Sequence, residues 1–90
     1  MSFQPTFRLI AAQNLSSTTS SSATAAFGAQ TTRIRVVAAA AVNVRVGDGT
    51  PTAVATDTLL VANYPEYFTV TPGQRLAALG AGTVNVTELG

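Results

Sequence analysis

Ninety residues with a net charge of +1, five Arg and no Lys, His, Cys or Trp make a single domain and exclude several function classes. Without His or Cys there is no zinc site of the usual kind, no disulfide, and no Ser or Cys nucleophile beside an imidazole base; the missing Lys removes the Ser-Lys variant too. So small a positive excess does not suit a protein that binds nucleic acid or acidic lipid through phosphate contacts.

Sixteen of the apolar residues are Ala, and a chain of this mass buries only about 60–65% of the surface that its unfolded form exposes. The core is therefore expected to be thin. Small domains compensate with disulfides, a metal or a partner, and here association with further copies or another protein is the route left open. Val36 to Val42 is the longest apolar run, far short of the ~18–20 residues that cross a bilayer. The opening Met1-Ser2-Phe3-Gln4-Pro5 has no basic segment of the signal-peptide type. These features predict a chain soluble as made, bound to neither membrane nor nucleic acid.

Thr is abundant, Lys absent and Glu scarce, so strong surface-helix formers are few outside Ala and Leu. Phe3 to Asn14 reads as one strand carrying Phe7 and Leu9. The following run, Ser16 to Ala26, holds almost only Ser, Thr and Ala, and buries too little to be more than a linker or a thin edge strand. Residues 1–26 are accordingly read as an extended arm or edge segment of the one β domain, 1–90.

Period-two alternation marks the next two strands. Ile34 and Val36 alternate with Arg33 and Arg35; Val42, Val44 and Val46 alternate with Asn43 and Arg45. Joined through Ala38 to Ala41, they are expected to form a hairpin with Val36 opposite Val42. Arg33, Arg35, Asn43 and Arg45 would then share its outer face. The alanine run also allows a helix of about two turns, which is marginal in isolation.

Gly47-Asp48-Gly49-Thr50-Pro51 is a turn, and short strands are expected at 57–62, 66–71, 75–80 and 83–89. Thr71-Pro72-Gly73-Gln74 reads as a hairpin turn and Gly80-Ala81-Gly82 as another. Val84 and Val86 point inward, with Asn85 and Thr87 outward. Many short strands divided by turn signals predict an all-β sandwich or small barrel.

The four acids Asp48, Asp57, Glu66 and Glu88 are the only candidates for carboxylate chemistry, and nothing in their spacing pairs them as glycoside hydrolysis requires. Glu88 reads as a solvated carboxyl near the end of the last strand. Asp48 in its glycine-rich turn is a faint calcium candidate, better read as a backbone cap. The chain is expected to be no enzyme and to hold no cofactor or metal.

Candidate contact residues are Arg33, Arg35 and Arg45, as a docking row for an acidic surface or as a solvated face. Tyr64 and Tyr67 join them as exposed anchors beside Pro65, while Phe68 is assigned to the core.

The Ser/Thr/Ala stretch 16–26, the strands Arg33-Ile34-Arg35-Val36-Val37 and Val42-Asn43-Val44-Arg45-Val46-Gly47, Pro65-Glu66-Tyr67-Phe68-Thr69-Val70 and Gly82-Thr83-Val84-Asn85-Val86-Thr87-Glu88-Leu89 together resemble the small structural proteins of tailed-bacteriophage virions. The resemblance covers Ser16 onward in pattern and arrangement. It implies a small antiparallel β-sandwich, jelly-roll-like, of about seven or eight short strands. It further implies a capsid decoration or cement protein, or a component of the head-tail connector, tail or fibre base. Such a subunit is assembled in the host cytoplasm, is often trimeric, and has the major capsid protein or another virion protein as its partner. A small carbohydrate-binding β module is the other reading of the exposed tyrosines.

Overall fold

The computed structural model describes residues 9–18 and 20–89. They form eight strands and no helix: β1 (Leu9–Ser17), β2 (Ser22–Ala23), β3 (Arg33–Ala38), β4 (Val42–Gly47), β5 (Thr58–Leu60), β6 (Glu66–Thr69), β7 (Arg75–Leu79) and β8 (Gly82–Leu89). The strands expected from Arg33 onward are all present, within a few residues of the expected bounds, and β1 overlaps the strand expected at 3–14. Phe3 and Phe7, assigned to the first strand, lie outside the described residues.

The strands make two antiparallel sheets, a front sheet in the order β1-β8-β3-β6 and a back sheet in the order β2-β7-β4-β5. Four pairings are nested: β4 with β5, β3 with β6, β2 with β7 and β1 with β8. This is one long hairpin folded at the β4–β5 link. Rolling it up adds β3 beside β8 and β4 beside β7. Eight strands rolled in this way are a jelly roll, the sandwich form of two interlocked Greek keys.

That topology corrects the β3–β4 hairpin. Val36 lies opposite Val86 and Glu66, and Val42 lies opposite Leu60, so β3 and β4 belong to different sheets. Residues 39–41 form a bend that carries the chain from one sheet to the other, not a helix. The turns at 71–74 and 80–82 are likewise real but cross between sheets: β6 and β8 are in front, β7 is behind. The inward faces are as expected, because alternation fixes the face of a strand without naming its neighbour.

Ile34, Val36, Ala38, Val84 and Val86 from the front meet Val42, Val44, Leu60, Leu76 and Ala78 from the back in one buried cluster. Phe27 and Val70 close it at one end, and Leu15, Val46 and Phe68 pack against it half-buried. Each large aliphatic chain buried here stabilises the fold by about 1.5–3 kcal/mol. Phe68 takes its expected core side, opposite Ile34.

The two ends of the sandwich differ. At one end the links are tight: Gly80 donates its amide to Thr18 O at 2.8 Å, and Ala39 donates to Thr83 O at 2.9 Å. Gly80 has φ +133, and a Cβ there would meet Ala41 O at 3.0 Å and Val42 Cγ1 at 3.1 Å. The alanine run is thus the low-volume stretch over which the β3–β4 link passes the β7–β8 link.

At the other end the links are longer and carry polar ties. Glu88 points inward, following Val84 and Val86, and is buried. Its Oε1 accepts the Gly28 amide at 2.8 Å and the Thr31 hydroxyl at 2.8 Å. The solvated reading of Glu88 is therefore overturned: the β2–β3 link folds over the carboxyl and supplies donors that the local sequence does not reveal.

Candidate functional site

The outer face of the front sheet is built by the residues that alternate with the core set. Pairing aligns Ala12, Thr87, Arg35 and Tyr67 in one row across β1, β8, β3 and β6. The next row holds Asn14, Asn85 and Val37; on the other side Arg33 lies between Leu89 and Thr69. Arg33 and Tyr67 are exposed, Arg35 is half-buried, and Thr87, Arg35 and Ala12 border a shallow groove that Leu9, Ile10 and Ala11 complete.

Three of the five expected contact residues, Arg33, Arg35 and Tyr67, are therefore gathered on one face. Arg45 is not with them. It projects from β4 on the back sheet, where its Nε and Nη2 donate to Asp57 Oδ1 at 3.1 and 2.9 Å. The expected row of three arginines does not exist, because the hairpin that would have made it does not form. Tyr64 is exposed in the β5–β6 link, off both sheets.

Part of the back sheet's outer face is covered by its own chain, while Arg45 and Leu59 on it stay exposed. The β4–β5 connection, residues 48–57, reaches across to β2, where the Ala53 amide donates to Ser21 Oγ at 2.8 Å. Ala53 is buried, and so is Ala77 between Arg45 and Ala23. Asp57 anchors the return of this strap: Oδ2 accepts the Val54 amide at 2.8 Å, and its carbonyl accepts Asn43 Nδ2 at 3.0 Å. The Val54 hydrogen bond, and then the Arg45 guanidinium, hold the Asp57 carboxyl below the usual aspartate range against a smaller opposing effect of burial.

The front face carries groups suited to recognition. A guanidinium presents a planar fork of donors suited to carboxylate oxygens. Beside it are one phenol ring, hydroxyls and amides, linked by hydrogen bonds from Thr87 Oγ1 to Asn85 Oδ1 at 3.2 Å and from Asn85 Nδ2 to Asn14 Oδ1 at 2.9 Å. Asp48 sits exposed in its turn, and among the described residues no three acids gather into a set able to hold a metal ion. Sequence reasoning missed the contribution of β1 to this face. Its Ala12 and Asn14 gain meaning only through pairing with β8, about 70 residues away in the chain.

No protein-family model, no curated protein and no solved structure matches the chain. The functional reading therefore rests on the site itself and on the resemblance of pattern described above.

Proposed function

We propose that this protein is a structural subunit of a bacteriophage virion, a capsid decoration protein that binds between capsomers as a homo-oligomer. The carrying observation is that Arg33, Arg35 and Tyr67 share one face of a minimal jelly roll, while part of the opposite face is strapped by its own loop. Jelly rolls recur in capsid proteins and lectins. A face with two guanidiniums and one ring suits an acidic protein surface, with the rigid ring supplying contact area at low entropy cost. Many weak contacts, each repeated over the shell, add up through effective concentration.

The test is to image purified particles and measure the copy number of the chain on them. Stoichiometric presence on the shell is expected; absence from the particle refutes the role, and a place at the neck, tail or fibre base moves it there. A second reading has its own observation: Tyr64 and Tyr67 are 60% and 53% exposed, as sugar-stacking rings would be. A reproducible glycan-array hit lost in Tyr67→Ala would favour a carbohydrate-binding module instead.

A further inference from the structure

We infer that β1 is a pairing edge and that its occupant is β1 of a second copy, related by a two-fold axis at Asn14. The inference is independent of the virion reading and uses only the edge itself.

Each sheet has two edge strands. β2, β5 and β6 are two, three and four residues long, and β6 follows Pro65 and begins with Glu66. Short length, charge and proline are the usual devices that keep edges from pairing. By contrast, β1 has nine residues, Leu-Ile-Ala-Ala-Gln-Asn-Leu-Ser-Ser, with no charge and no proline. One side of it pairs with β8 from Leu9 to Ser17. Among the described residues its single protective device is the bulge between Leu9 and Ala11, which leaves seven regular residues, 11–17, whose midpoint is Asn14.

Two arguments select a second copy. Among the described residues no other edge strand matches β1 in length, and two uncharged strands meet without repulsion. The second argument is a row of polar groups that runs to the edge and stops there. Thr87 donates to Asn85, and Asn85 donates to Asn14 Oδ1. The amide nitrogen of Asn14, exposed at the rim, donates no hydrogen bond among the described residues. A two-fold axis at this residue places two Asn14 amides side by side, each donating to the other's oxygen, so the row continues through both molecules as an amide ladder. The result is a continuous sheet of eight strands, carrying two sets of Arg33, Arg35 and Tyr67 on one face. The contact is one strand wide, narrower than a standard interface of about 1,600 Å², so a micromolar dimer is expected.

The axis fixes a register in which residue 12 of one copy faces residue 16 of the other. Ala12 and Ser16 are exposed, so both accept charge without disturbing the core. Sedimentation velocity over a concentration series then tests the inference on three full-length proteins. The parent chain and the Ala12→Lys/Ser16→Glu variant are expected to dimerise, since opposite charges meet twice across the axis. Ala12→Lys/Ser16→Lys, with like charges in the same places, is expected to weaken the dimer at least tenfold, and circular dichroism should show the same fold in all three. A parent chain that stays monomeric at about 1 mM overturns the inference. So does a Lys/Lys variant that dimerises as well as the parent, or a Lys/Glu variant that dissociates with it.

Discussion

Thr31 donates its hydroxyl to Glu88 Oε1 at 2.8 Å, at a point where Thr31 has no exposed surface. The same oxygen takes the Gly28 amide, so one side chain near the end of β8 organises the link that crosses from the back sheet to the front. Replacing Glu88 by Ala leaves two donors without an acceptor: the Thr31 hydroxyl is buried, where an unmet donor costs about 1–3 kcal/mol, and the Gly28 amide, only part-buried, costs less. Glu88→Ala is thus expected to lose about 2–4 kcal/mol in urea unfolding, whereas Glu88→Gln, which keeps an acceptor oxygen, loses less than about 1.5 kcal/mol. Equal losses from the two variants would show that the hydrogen bonds are not what matters at this position.

Asp57 gives the fold an acid-sensitive tie. Its carboxyl is held below its ordinary range by the Val54 amide and Arg45, so the stabilisation is fully present above about pH 5 and disappears as pH falls through the lowered folded-state value. The melting temperature of Asp57→Asn should lie below that of the parent at pH 7, and the two should converge in acid. A gap that stays constant down to about pH 2 would remove Asp57 from the account.

Gly80 and Gly49 both have positive φ but differ in their surroundings. A Cβ on Gly49 meets nothing within 4 Å, whereas one on Gly80 meets the Ala41 carbonyl and Val42. Gly49→Ala is expected to cost about 1 kcal/mol for backbone conformation alone, and Gly80→Ala about 2–4 kcal/mol because steric conflict is added. Chemical denaturation ranks the two, and the reverse order would contradict the close passage of the two links.

Charge reversal separates docking from folding. Arg35→Glu alters the front face and is expected to weaken attachment to particles at least about tenfold, ~1.4 kcal/mol, with little change in melting. Arg45→Glu should do the opposite, since Arg45 is already engaged with Asp57 and lies on the other sheet. A binding assay with particles alongside thermal melts reads both; equal attachment by all three proteins removes the front face from the proposed role.

Much of this fold was legible as strands and very little of it as pairings. Val84 and Val86, or Ile34 and Val36, announce an inward face because burial and periodicity are local properties. The partner of a strand is not local: β3 chose β8 and β6 over adjacent β4, since Ala38 to Ala41 let the chain cross to the other sheet as easily as turn back. The same limit explains the site. Arg35 and Tyr67 were identified individually as contact residues, yet their position opposite one another follows only from the rolled topology. Glu88 shows the limit of residue chemistry. Its alternation with Val86 pointed inward, its charge pointed outward, and donors 57 and 60 residues away decided the matter.

The nested pairing also sets the order in which the molecule can be made. β8 lies between β1 and β3, so the front sheet has no middle until residues 82–89 have been synthesised, and the two strands that flank them must wait unpaired along that side. Only the β4–β5 pair joins strands that are consecutive in the chain. Folding should therefore be slow for so short a polypeptide, because loop-closure entropy is spent before most contacts can repay it, and a nascent chain halted before Gly82 would expose the apolar sides of β1 and β3.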